Sequence, residues 1–393
     1  MPALVLRGIT WGHTRGYLPM VATAQRYSEL HPNVRIDWHI RSLQSFADES
    51  IATLSANYDL LVIDHPSIGE AAAREIFIPL DKFLSEDFLQ DQSNNSVGAS
   101  HASYHIAGHQ WALAIDAAAP VAASRPDILE ANGVEEPATW DDMLELARAG
   151  LVAFAGLPLD CLMHWYSLCI NEGQTPFTAA AAIVDPEVGM AALAAIKELT
   201  TICGESSLTR NPIAAYELMT TSNSYGYSPL AYGYSNYARV GYSITSRNLL
   251  RFGSPPNRLG KPLCTTLGGA GLAVSARCNG LTLDAALEYA QFVASGSVQT
   301  GLFTAGGGQP GYRGAWLDPE NNRVTQSFFM RTLATLDRAY VRPRHEHAIE
   351  FQIRATAVMD ACLRSRLSPR EALDAFNELD RRLRLPGAHS GIP

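Results

Sequence analysis

The sequence predicts an α/β protein of two lobes, each built on a mainly parallel sheet flanked by helices. Three observations carry this. The chain has 393 residues, more than one hydrophobic core ordinarily organises, so two lobes are expected. Its N-terminal part alternates strand-like and helix-like patterns over short connections, the rhythm of a parallel sheet covered on both faces. Within it, Asp59-Leu60-Leu61-Val62-Ile63-Asp64 is apolar without alternation, the mark of a strand buried on both sides.

In chain order, Leu4 to Ile9 is a first strand bounded by Trp11-Gly12, and a helix follows from Tyr17 to Leu30. Pro32-Asn33 breaks it, and Val34 to Ile40 is a second strand. Ser42 caps a helix through Phe46, Ile51 and Leu54, and the strand 59–64 is the third. Ligands of such sheets bind beyond the C-terminal ends of the strands. Those ends here carry Trp11, His13, Arg15 and Tyr17, then Arg41, then Asp64 and His65. Each alone is as well explained by a helix cap or surface decoration; three polar endings on one sheet edge are harder to dismiss.

Ala107-Gly108-His109 reads as the turn of a hairpin, and Asp116 precedes an Ala-rich run, 117–123, that suits a strand crossing between lobes. Thr139 caps a helix with Asp141 and Asp142 in its first turn. Val152 to Ala155 reads as a strand, with helices around 159–171, 186–202 and 212–220. Between 223 and 242 the composition shifts: Tyr225, Tyr227, Tyr232, Tyr234, Tyr237 and Tyr242 are interleaved with Gly, Ser and Asn. Tyrosine supplies rigid amphipathic contact surface, although a pair of core strands explains it equally well. Gly268-Gly269-Ala270-Gly271 turns into a short strand, a helix spans Leu283 to Ala294, and Gly306-Gly307-Gly308-Gln309-Pro310 is a tight loop. Helices are expected at 327–338 and 346–366. A last one has Ser368 as cap, Pro369 at its first position and Glu371 two residues later, and the tail beyond Pro386 is expected to fray.

A formal net charge of -9 without a long basic run argues against nucleic acid or an anionic membrane as partner. No stretch of 18 apolar residues spans a bilayer. The first residues show no secretory signal pattern, which leaves open a removed leader or a protein not exported this way. The six cysteines form no C-x-x-C pair. Buried free thiols are expected, with Cys264–Cys278 the conceivable bridge in an oxidising compartment. No P-loop, nucleophile elbow or H-E-x-x-H motif occurs. His101, His105 and His109 fall in the hairpin region, so neither a metal nor a cofactor is assigned, and no catalytic residue.

In order along the chain, several segments resemble the family 1 extracellular solute-binding proteins of ABC importers, the group that includes maltose-binding protein. They are the opening strand ending in Trp11 with Pro32-Asn33-Val34, Asp59 to Asp64, and Ile78-Pro79-Leu80-Asp81. The series continues with Gly108 through Trp111, Leu113 and Asp116, then Pro137-Ala138-Thr139-Trp140-Asp141. Gly269 to Ser275 with the helix ending near Gln299, and Arg342-Pro343-Arg344, complete it. Ala114-Ile115 stands where the family has a proline.

The resemblance implies a type II periplasmic-binding-protein-like fold with the ligand cleft between the lobes. Lobe one would be 1–115 plus 266–325, and lobe two 116–265 plus 326–393. It further implies a substrate-binding component, not an enzyme, that captures a carbohydrate or polyol by hinge closure. It would be a periplasmic monomer that delivers to membrane permease subunits. The expected ligand-binding residues are Trp11, His13, Arg15, Tyr17, Arg41, Asp64, His65 and Asp116. The second lobe would supply Trp165, Tyr225, Tyr227, Tyr232 and Tyr237, while Gly269 and Gln309 let backbone approach the ligand. As an alternative within the same class, the basic edge formed by Arg15, Arg41, His13 and His65 also suits a ligand bearing a carboxylate or phosphate. A cytoplasmic enzyme or sensor on the same fold is the further alternative.

Overall fold

Residues 4–43, 50–178, 182–241 and 248–384 are described by the computed structural model. Phe46, Tyr242 and the tail beyond Pro386 lie outside these residues. In chain order the strands are β1 (Leu4–Trp11), β2 (Val34–Arg41), β3 (Leu60–Ile63), β4 (His105–Ile106) and β5 (His109–Gln110). They continue with β6 (Leu113–Ala118), β7 (Pro120–Ser124), β8 (Tyr227–Tyr232), β9 (Arg251–Gly253) and β10 (Gly268–Val274).

The unalternating run of β3 is buried on both faces, as read. Leu60 and Val62 join one core with Leu6, Met20, Ile36 and Val293; Leu61 and Ile63 join another with Ile9, Ile51 and Ile68. Burying each such side chain is worth about 2 kcal/mol. The sheet runs β2-β1-β3-β10-β6. β1 is parallel to β2 and β3, with Trp11 opposite Arg41 and Ile9 opposite Leu61. The C-terminal ends of all three strands therefore share one edge. β10 is antiparallel to both neighbours.

The Ala-rich crossing divides at Ala119. β6 closes the first sheet, and β7 is the centre of a second, ordered β8-β7-β9. Both ladders of this second sheet are antiparallel, which corrects the mainly parallel sheet expected there. Small side chains on β7 admit neighbours on either side but specify no direction, so strand order along the chain was a poor guide. Val152 to Ala155 is not a strand either. Val152 makes one parallel bridge to Tyr227, and Ala153 N–H donates to Tyr227 C=O at 2.8 Å.

Around the second sheet, one core gathers Trp140, Phe154, Trp165, Leu193, Phe351 and Phe376, and another Tyr216, Phe252, Trp316 and Phe328. The hairpin is present, its turn made by Ala107 and Gly108, both at positive φ. Thr139 and Asp142 form a capping box, and Ser368 and Glu371 exchange the equivalent hydrogen bonds. All six cysteines are free, Cys264 and Cys278 included.

Candidate functional site

A cavity of about 210 Å³ opens beyond the C-terminal ends of β1 and β3, far larger than the 10–15 Å³ or so that houses one water. Its near wall is Trp11, Arg15, Leu43 and Asp64. Asp116, Ala118, Gly268 and Gly269, from β6 and β10, lie between that wall and the opposite one. The far wall combines Leu157, Leu159, Asp160 and Met163 with Asn211, Pro212, Tyr232 and Tyr234, and Arg342 and Gln352 close it.

Gly269 makes the middle of the site possible. Its φ is +109°, and a Cβ there would stand 2.3 Å from the Asp116 carbonyl oxygen. Only glycine lets β10 come this close to β6 in that backbone conformation.

Two buried ion pairs fix the polar groups. Arg15 donates through Nε to Asp116 Oδ2 at 2.9 Å and through a terminal nitrogen to Oδ1. Its other terminal nitrogen donates to Gly233 C=O at 2.8 Å, and the guanidinium lies 4.6 Å from the Tyr234 ring centroid. Burial pushes the Asp116 carboxyl up while Arg15 pulls it back. Because a guanidinium offers only donors, this two-bond contact is made to a carboxylate. Arg342 donates one nitrogen to both oxygens of Asp64, at 2.6 and 2.7 Å, and its Nε to Leu267 C=O at 3.0 Å. Burial pushes Asp64 up, but Arg342 and His65 outweigh it and hold the carboxyl below the usual range.

Asp160 differs. It sits in the first turn of the helix Pro158–Asn171, 8% exposed, facing the cavity with no ion pair or hydrogen bond to another described residue. Burial alone raises its carboxyl to about 8.

Of the residues expected at a ligand, the structure brings Trp11, Arg15, Asp64, Asp116, Tyr232 and Gly269 to this one cavity. The others do not line it, and each has another task. His13 caps the helix Thr14–Leu30 by accepting from Arg15 N–H, and burial, then Arg15, lowers its ring to about 4. Tyr17 faces a separate groove with Trp38. Arg41 donates to Val62 C=O at 3.1 Å. His65 is buried behind Asp64, lowered to about 4 by burial and then Arg342. Trp165 is wholly enclosed in the core, donating to Gly189 C=O at 3.0 Å; its apolar helix buries nearly every face. Tyr225 lies under Arg210, Tyr227 is a core residue of β8, and Tyr237 donates to Glu217 at 2.8 Å. Gln309 stitches loops together, accepting from Ser235 N–H and donating to Ala117 C=O.

Sequence reasoning missed Asp160, Asn211, Met163, Tyr234, Arg342 and Gln352. The Tyr-rich stretch and Arg342-Pro343 were visible but not assigned to the site. Asp160 and Asn211 sit at helix starts, where their residue types already have a capping explanation.

The model of the family described as bacterial extracellular solute-binding protein matches residues 22–323. A search of curated proteins finds no match. Among solved structures the chain is similar to maltose-bound T. maritima MalE3, with TM-score 0.82, 17% identity, and coverage of 96% of this chain and 100% of that one. It is similar to an ABC transporter solute-binding protein from Agrobacterium radiobacter K84 in complex with ribitol, with TM-score 0.81, 17% identity, and coverage of 97% and 99%. A third, from Agrobacterium vitis S4 with bound D-mannitol, has TM-score 0.77, 14% identity, and coverage of 98% and 99%. At these identities the likeness establishes the fold, the two-lobed α/β architecture.

Proposed function

The chain belongs to the bacterial extracellular solute-binding proteins, and we propose that it is the capture component of an ABC importer, closing on a carbohydrate or polyol between its lobes. One observation carries this: rings and ionisable groups from distant parts of the chain converge on one cavity. Trp11, Arg15 and Asp64 come from one side and Asp160, Tyr232 and Arg342 from the other. Aromatic faces suit the C–H face of a sugar, and carboxylates and guanidiniums suit its hydroxyls. Enclosure makes these bonds selective, because an analogue lacking a hydroxyl leaves a buried polar group unmatched. The ligands of the similar structures, maltose, ribitol and D-mannitol, are of this kind.

We take lobe one as 1–115 with 266–325 and lobe two as 116–265 with 326–393. The core assignments suggest an earlier third crossing, since Trp316 packs with Phe252 and Phe328. In this reading Arg342–Asp64 and the contacts of Arg15 with Gly233 and Tyr234 bridge the lobes, and ligand shifts the population toward that closed form. The protein acts outside the cytoplasmic membrane, in the periplasm, as a monomer that presents the closed form to permease subunits. No helix of the described residues is long and apolar enough to cross a membrane.

Thermal-shift screening of sugars, polyols and organic acids, followed by chromatography of the recovered ligand, tests this. The expected result is stabilisation by a sugar or polyol recovered unchanged. Appearance of a product would replace the binding protein with an enzyme.

A further inference from the structure

We propose that the ligand carries a protonated amine and that Asp160 receives it, so that the site takes a hydroxylated ammonium compound such as an amino sugar or amino polyol. This rests on the capture function proposed above and narrows it.

The charge arrangement leads there. Among the described residues, two guanidiniums and three carboxyls line the cavity. Arg15 is taken up by Asp116 and Gly233, and Arg342 by Asp64 and Leu267. Neither is left to meet an anionic ligand head-on; of the basic edge read in the sequence, Arg15 is the member that lines the cavity, and it is paired with Asp116. The third carboxyl, Asp160, has no cation among the described residues. A buried carboxylate is costly unless paired, and a cationic group on the ligand would supply the partner that no described residue gives it.

The surroundings favour a cation further. Leu157, Leu159 and Met163 line the cavity with Asp160, and Tyr232 and Tyr234 line it too. Ring faces attract an ammonium by a cation–π contact. The ionisable groups within electrostatic reach of Asp160 are Cys161 on its own helix, Tyr216 on the helix Pro212–Thr221, and Tyr232 and Tyr234. All four are pushed up, by burial first, and stay uncharged at neutral pH. None of these described groups competes for the role of counter-ion.

With the cavity empty, burial holds Asp160 near 8, so it is mostly protonated at pH 7. Binding an ammonium group sends that proton to solvent. Amine affinity should then rise by up to about tenfold per pH unit until about pH 8, while a neutral polyol should show no such slope.

Calorimetric titration of matched pairs tests this: D-mannitol and 1-amino-1-deoxy-D-mannitol, ribitol and its 1-amino analogue, D-glucose and 2-amino-2-deoxy-D-glucose. At least one amine should bind about tenfold or more tightly than its neutral partner at about pH 8, as for one charged hydrogen bond. That preference should shrink as the pH falls to 6, with proton release visible in buffers of different ionisation enthalpy. In Asp160→Asn the preference should collapse to about one, and in Asp160→Glu it should keep its sign. If neutral members bind and their amines do not bind tighter, or if Asp160→Asn keeps the preference, the amine assignment is overturned and the capture function stands. If no member of any pair binds, the capture function falls and the assignment with it.

Discussion

Asp160→Asn should make the unliganded protein more stable, and increasingly so as the pH rises. An acid whose folded value lies above its unfolded one is protonated in the native state while the unfolded chain has already ionised. Stability from this group is therefore complete below about pH 4 and drains away up to the folded value of about 8. At pH 7 the loss is about 4 kcal/mol if burial acts alone. The helix N-terminus beside Asp160 returns up to about 1 kcal/mol by favouring the carboxylate, and a buried asparagine amide without partners costs about 1–2 kcal/mol of its own. The net gain is about 1–2 kcal/mol at pH 7, which in lobes of this size is a rise of several degrees in Tm. Thermal denaturation of wild type and variant at about pH 5 and pH 8 reads it directly. The variant's advantage should be near zero at pH 5 and widen toward pH 8. An advantage that does not change with pH, or a variant less stable at pH 8, would refute the reasoning that the carboxyl is buried without a counter-charge. A residue that lowers stability in the empty state and repays it with ligand is what a binding site contains when function and stability conflict.

Other perturbations separate the remaining contacts. Arg15→Met should cost about 3–5 kcal/mol in chemical denaturation, because Asp116 is left buried without its partner; adding Asp116→Asn should restore much of this in a double-mutant cycle. Gly269→Ala should destabilise by more than the 1–2 kcal/mol or so of a strained backbone, since its methyl group meets the Asp116 carbonyl; wild-type stability would show that β10 does not pack as described. Asp64, held low by Arg342 and His65 against burial, contributes stability present above about pH 4 and lost as pH falls toward its depressed value. Arg342→Gln should flatten that acid limb of the Tm profile; an unchanged limb would mean that the pair is absent. Trp11→Ala with Tyr232→Ala should weaken sugar or polyol binding about thirtyfold or more by titration, judging by about 1–1.5 kcal/mol for each lost ring contact. Parent-like affinity would place the ligand elsewhere.

The strands that build one edge of the site were legible because β3 is buried on both faces and β1 and β2 stay close to it in sequence. Their ends, Trp11, Arg41 and Asp64, do share one edge, yet only Trp11 and Asp64 reach the cavity. Arg41 turns back to Val62, a choice no periodicity encodes. The second lobe was less readable. β7 is Pro-Val-Ala-Ala-Ser, too small-chained to announce its partners, and it pairs with strands roughly a hundred positions later in the chain. Tyrosine-rich composition located Tyr232 and its neighbours without distinguishing ring faces that pack inward, as Tyr227 and Tyr237 do. Trp165 misled because an aromatic on an apolar helix looks the same whether it faces a cleft or a core. Arg342 and Asp160 depend on pairings and vacancies across hundreds of positions, which appear only once the chain is folded.

A crystal structure with the tightest-binding sugar, polyol or amino derivative tests the shared cavity most directly. The ligand should lie between Trp11 and Tyr232, chemically intact, touching Asp160 and passing close to Gly269. Density for it in the groove beside Tyr17 and Trp38, or on an open surface of either lobe, would contradict the site described here.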